Sequence, residues 1–150
     1  MTETNRPPLQ PDEILGTWRL IEYSAQSDQN GSVYYPLGSD ATGYLMYTTD
    51  GYMSVHMMRQ DRDDYDQPDV SGGTTAQAAH AAEGYLAYCG PFEVDANGTV
   101  HHFVEVSLLP NWIRGIQLRC PDLKSNHLTM HAEYPVGQAT VSMNRDADTG

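Results

Sequence analysis

Apolar and polar side chains alternate with a period of two along most of the chain, the pattern of half-buried strands. Residues 16–25 (GTWRLIEYSA) predict a strand with Trp18, Leu20 and Glu22 on one face and Arg19, Ile21 and Tyr23 on the other. A turn-rich stretch follows, carrying Asn30-Gly31, Pro36 and Gly38, with a short strand at Val33 to Tyr35. Residues 41–60 predict a hairpin about Thr49-Asp50-Gly51, with Gly51 in the left-handed position of a bulged turn. Pairing Thr48 with Tyr52 sets Met46 opposite Ser54 and Tyr44 opposite His56. Tyr44, Met46, Ser54, His56 and Met58 then share one face, and Leu45, Tyr47, Met53, Val55 and Met57 the other.

Beyond an exposed acidic loop (61–73), TTAQAAHAAE breaks the period of two and predicts a short helix. Thr74 and Gln77 have capping-box spacing, and Gly84 stands at the C-terminal cap. Strand YLAYCGPFEVD, a turn at Ala96-Asn97-Gly98, a block of three strands over 99–132 and a last strand at 138–145 complete the chain. About eight strands, one short helix and regular turns predict an all-β fold. It is read as a closed antiparallel up-and-down barrel with a central small-molecule cavity. One domain spans 12–145. Residues 1–11, with Pro7, Pro8 and Pro11, form a flexible tail, and 146–150 a second.

The block 99–132 holds the densest mixture of His, Glu, Arg and Trp. Reversing the chain at Pro110 to Trp112 sets Glu105 opposite Gln117; reversing it at Lys124 to Asn126 sets Arg119 opposite His131. One face then collects His101, Phe103, Glu105, Ser107, Gln117, Arg119, Thr129 and His131. The other collects Val104, Val106, Leu108, Ile116, Leu118, Leu128 and Met130, with His102 as its one ionisable member. Two arrangements fit. With the apolar face in the barrel, Glu105 and Arg119 form a surface pair and His102 points into the lumen. With the polar face inside, Glu105, Arg119 and the histidines form a buried network able to orient a ligand or move protons. Trp112 is either a rim residue over the cavity mouth or a turn-stabilising aromatic.

Charge removes several classes of partner. Eight Lys+Arg against 20 Asp+Glu give −12 at pH 7, which repels nucleic acid and anionic lipid. No run of about 18 apolar residues is present, and the first 13 residues lack a signal-peptide core. Cys89 and Cys120 read as free thiols of a cytoplasmic protein. The neighbours His101 and His102 point to opposite faces of a strand and cannot share a metal, and no metal-binding or nucleotide-binding motif appears. Neither a metal nor a cofactor is expected. Met53, Met57 and Met58 read as adaptable packing or a pliant pocket wall.

Several stretches resemble the bacterial and fungal lipocalin-like domain family, calycin-type barrels. Gly16-Thr17-Trp18-Arg19-Leu20 is similar to the GxW strand of lipocalins, and residues 41–54 to the family's central hairpin. Gly84-Tyr85, Ala87-Tyr88, His101-His102 through Glu105 to Ser107-Leu108, and Pro110-Asn111-Trp112 are similar to its second half. Arg119 falls where the family tends to carry an Arg. The chain departs from the pattern at Arg114, which precedes Gly115, and at Met143, where an aromatic is common. The resemblance implies a cup-shaped barrel whose floor is closed by Trp18, with Arg145 packed over it. It also implies a small, largely apolar ligand and a link to polyketide-like or other natural-product pathways, where related barrels act as cyclases, isomerases or dehydratases.

Three functions follow as expectations. The first is a cofactor-free cyclase, isomerase or dehydratase, with His102, His56, Tyr44, Glu105 and Arg119 as the reacting or hydrogen-bonding groups. Tyr47, Met53, Met57, Tyr88, His101, Phe103, Trp112 and His131 would line its ligand. The second is a non-catalytic carrier or sensor using the same cavity. The third is a filled barrel acting through its surface, as a homodimer.

Overall fold

A computed structural model describes residues 7–134 and 137–146; most of the two expected tails lies outside the described residues. The chain enters through a 3-10 turn (Pro11–Ile14) into β1 (Gly16–Ser27). It continues through β2 (Val33–Tyr34), β3 (Thr42–Tyr47), β4 (Tyr52–Met58), helix α1 (Thr75–Glu83), β5 (Tyr85–Val94) and β6 (Val100–Phe103). β7 (Val106–Ser107), a 3-10 turn (Pro110–Trp112), β8 (Ile116–Lys124), β9 (His127–Tyr134) and β10 (Gly137–Arg145) complete it. Eight strands run β1-β3-β4-β5-β6-β8-β9-β10, and β10 pairs back onto β1 from Trp18–Arg145 to Ser27–Gly137, which closes the barrel. Closure pairs the first strand with the last, so neither is left as a sheet edge. β2 and β7 are short additions on β1 and β5.

The β3–β4 hairpin has the expected register: Tyr47 opposes Met53, Met46 opposes Ser54 and Tyr44 opposes His56. Thr74 caps α1 as expected, its side chain accepting from the Gln77 N–H, and Gly84 closes the helix by donating to the His80 and Ala82 carbonyls. At the closed end Trp18 is fully buried and its Nε1 donates to the Ile14 carbonyl at 2.9 Å. The Arg145 guanidinium lies over the indole, 4.4 Å from its centroid, and Nη1 donates to the Glu13 and Leu15 carbonyls. Arg145 thus takes the place the lipocalin resemblance implied.

Two face assignments differ from the sequence reading. In β1 the register slips between Leu20 and Glu22, so Ile21 is the extra residue of a bulge and lies exposed. Past the bulge the faces exchange: Glu22 turns out, and Tyr23 and Ala25 turn in with Trp18 and Leu20. In β8 the partners are Val100–Arg119 and His102–Gln117 rather than the expected Glu105–Gln117. The chain does not reverse simply at Pro110. Residues 104–115 leave β6, pair with β5 through β7, and return through a loop held by Arg114 N–H to Val104 O and Val104 N–H to Gly115 O bonds. The excursion changes the parity of the pairing, and a change of parity exchanges the faces. Gln117 and Arg119 therefore turn inward, while Ile116 and Leu118 lie about half exposed. On the other side, Cys120 rather than Arg119 opposes His131.

β5 passes close to the end of β6 at Gly90, where a methyl group would overlap the Phe103 carbonyl oxygen. Backbone, not a movable side chain, occupies that space. Gly90→Ala is expected to cost at least about 2 kcal/mol, read as a lower urea midpoint, because either β5 or β6 must shift.

Candidate functional site

Inward-facing positions of the closed strands build an apolar lumen from Leu45, Val55, Met57, Leu86, Met130, Val141 and Met143. Into it project Tyr23, Tyr88, His102, Arg119 and Tyr134. His102 is 2% exposed. Its Nε2 lies 2.7 Å from the Tyr47 hydroxyl and its Nδ1 2.7 Å from the Tyr88 hydroxyl. Burial, aided by the Arg119 charge, pushes its pKa down to about 3. The imidazole is therefore neutral at physiological pH, with one N–H and one lone pair. One tyrosine must donate to it and the other accept, so both ring nitrogens are engaged.

The tyrosines are held protonated. Burial raises the Tyr88 pKa to about 12 against the opposing pull of Arg119. Tyr23 also rises to about 12, through burial and then Tyr134, and burial carries Tyr47 well above its ordinary value. Arg119 donates to the Leu118 carbonyl (2.8 Å), the Gln117 side chain (3.3 Å) and the Tyr134 hydroxyl (2.9 Å). All three acceptors are neutral. Arg119 makes no ion pair among the described residues; the pairs present there are Arg59–Asp61 and His101–Asp95.

The lumen itself is small. Its free space is about 40 Å³, room for about three waters. At its open end Tyr23, Leu86 and Tyr134 also line a larger depression of about 520 Å³. Residues 107–109, Trp112, Tyr85 and the last turn of α1 complete its wall. Trp112 stacks on Tyr134 with an interplanar angle of 5° and meets Tyr88 edge-on. A third hollow of about 740 Å³ opens where β8 and β9 part beyond Cys120 and His131, and Arg119, Trp112 and Tyr134 line it too. Tyr134 thus borders all three spaces, while Arg119 lies between the lumen and this hollow and Trp112 between the mouth and this hollow.

Of the residues expected at a site, His102, Tyr88, Tyr47, Met57 and Arg119 face the lumen, and Trp112 borders its mouth. Met53 is buried in the core near the closed end. The rest lie on the outer wall. Tyr44 accepts from Arg19 at 2.6 Å, and His56 pairs with Tyr85 at 2.8 Å. His101 pairs with Asp95 and stacks on Phe103; Glu105 and His131 are exposed. The expected Glu105–Arg119 pair does not form, because Arg119 turns inward and Glu105 outward. Tyr23 and Tyr134 are the lumen groups the sequence reading missed. Continuing the alternation Leu128, Met130, Ala132 by one step finds Tyr134; the bulge at Ile21 hides Tyr23. Among the described residues no three His, Cys, Asp or Glu side chains gather to hold a metal ion, and no helix is long and apolar enough to cross a membrane.

A family model described as a lipocalin-like domain matches residues 15–146. A 4'-hydroxy-3'-methoxypropiophenone carrier protein of Aspergillus oryzae is 32% identical over 91 residues, 56% of this chain and 82% of that one. Among solved structures, a redesigned β-barrel aligns over 93% of this chain and 97% of its own at 10% identity and a TM-score of 0.46. Fatty-acid-binding protein 1 of Echinococcus granulosus aligns over 91% and 99% at 12% identity and a TM-score of 0.44.

Proposed function

The chain belongs to the lipocalin-like domain family, and from that premise we propose that it carries a small, largely apolar organic molecule bearing a polar oxygen. The observation behind this reading is the set of polar groups, Arg119, Tyr134 and Tyr88 with Tyr23 and His102, placed in a lumen whose remaining lining is apolar and which meets the mouth depression. The lumen alone is far below the roughly 300 Å³ of a typical ligand site. The ligand's body therefore lies in the mouth against Leu86, Leu108, Leu109 and Trp112, and its oxygen reaches past Tyr134. The similarity to a carrier of an aryl ketone makes 4'-hydroxy-3'-methoxypropiophenone the first probe.

Titration of the protein with that ketone, followed by the quenching of tryptophan fluorescence, is expected to saturate. Leu109→Glu, a change at a half-exposed position of the mouth wall, is expected to weaken binding about tenfold or more, some 1.4 kcal/mol. No saturable binding, or binding indifferent to Leu109→Glu, would count against the site.

A cofactor-free cyclase or isomerase is the second reading. It draws on Arg119 and Tyr88, which could stabilise a developing enolate. The carrier is preferred because enolisation also needs a proton acceptor, and the lumen-facing histidine is held neutral with both nitrogens bonded and a pKa of about 3. Exchange of the ketone's α-hydrogens for deuterium, followed by NMR, separates the two. A carrier leaves the exchange at the rate of protein-free buffer.

A further inference from the structure

β8 runs against its own hydrophobicity. It exposes Ile116 and Leu118 and turns Gln117 and Arg119 inward, although burying an aliphatic side chain stabilises by roughly 1.5–3 kcal/mol. A conflict of this kind between local pattern and global fold is expected at a functional position. Its result is a guanidinium at the edge of an apolar lumen whose hydrogen-bond partners among the described residues are all neutral. The groups around it come from every neighbouring wall: Tyr23 from β1, Tyr88 from β5, His102 from β6 and Tyr134 from β9. Among the described residues no carboxylate lines the lumen. Glu83 borders the mouth, and Glu133 and His131 border the hollow between β8 and β9.

We propose that this site binds its ligand as an oxyanion, a phenolate or carboxylate on an apolar body, with the charged oxygen against Arg119 and the Tyr88 and Tyr134 hydroxyls. The inference rests on the carrier reading above and adds the charge state of the ligand. A positive charge with neutral acceptors gains most from an anion whose apolar body displaces water around it, because Coulomb attraction grows as water is excluded. Tyr88 stays protonated and His102 stays neutral across the range in which such a ligand ionises. With its proton on Nδ1, His102 donates to Tyr88 and leaves that hydroxyl's hydrogen for the ligand, and the neutral ring adds no competing positive charge. The protein's net charge of −12 repels anions at a distance, so the selection is local to Arg119.

The test uses 4'-hydroxy-3'-methoxypropiophenone, whose phenol is conjugated through the ring to its ketone, so that the phenolate absorbs at longer wavelength than the phenol. Its absorbance is titrated against pH alone and with saturating protein. The bound phenol is expected to ionise about one pH unit or more lower than the free probe, which is a tenfold or greater preference for the anion. Arg119→Gln should erase the shift and Arg119→Lys should keep part of it. His131→Gln, which removes the rim histidine, should leave it in place. Thermal melts confirm that each variant is folded, and the wild-type titration decides the matter even if one is not. A bound probe whose ionisation is unchanged or raised overturns the oxyanion assignment and leaves the carrier reading standing. A probe that binds in neither form overturns both.

Discussion

Replacing Trp18 with Ala is expected to destabilise the barrel by about 3–5 kcal/mol, the range for removing a large aromatic from a packed core. Trp18 closes the floor: it is fully buried, bonded to the Ile14 carbonyl and covered by Arg145. Its loss leaves a cavity and frees Arg145 from the ring, although that side chain still holds the Glu13 and Leu15 carbonyls. A domain of this size commonly has about 5–15 kcal/mol to lose, so the variant should sit at or near the edge of folding. Urea unfolding at pH 7.5 measures the effect. Trp18→Phe should recover part of it, since a ring still fills the floor. Loss of the indole donor leaves the Ile14 carbonyl unpartnered, at about 1 kcal/mol. If Trp18→Ala unfolds at the wild-type midpoint, the closed end is not the structural keystone of the barrel.

The sequence carried the parts of the fold whose register is set locally. The β3–β4 hairpin was readable because its turn at Thr49 to Gly51 is short, which fixes pairing and faces together. His102 was the inward histidine in one of the two arrangements that the alternation allowed, because it interrupts an apolar face. The position of Arg145 over Trp18 came from the lipocalin resemblance rather than from alternation. What failed depended on parity. Twelve residues, 104–115, separate the paired portions of β6 and β8, and one of their pieces pairs with β5. Nothing in the alternation of either strand reports whether that excursion adds an odd or an even step. Reading Ile116 and Leu118 as core was the choice that hydrophobicity favours, and the fold makes the opposite one. Reading them as core sends Arg119, a candidate from the start, to the outer surface, whereas the fold sets it between the lumen and the opening between β8 and β9. The bulge at Ile21 concealed Tyr23 in the same way.

Acid should weaken the wild-type protein more than a His102→Gln variant, and the difference should be about 3 kcal/mol between pH 7.5 and pH 4. In the native state burial holds His102 at about 3; in the unfolded chain an ordinary histidine titrates near 6.5. The folded value is depressed, so between those two pH values the unfolded chain takes up a proton that the native state refuses. Stability from this source is complete above about pH 6.5 and is lost as pH falls toward 3. At about 1.4 kcal/mol per pH unit, the loss accumulated by pH 4 is roughly 3 kcal/mol. Asp61 and Asp95, whose pKa values are lowered chiefly by Arg59 and His101, lose stability in the same direction. They are present in both proteins and cancel in the comparison. Glutamine removes the titration at a cost. Each tyrosine hydroxyl left without its partner forfeits about 1–3 kcal/mol, so the variant should begin less stable at pH 7.5 and converge on the wild type as pH falls. Parallel losses would mean that the imidazole accepts a proton without unfolding. The Tyr47–His102–Tyr88 chain would then no longer be inert, and the preference for a carrier over an enzyme would lose its main physical support.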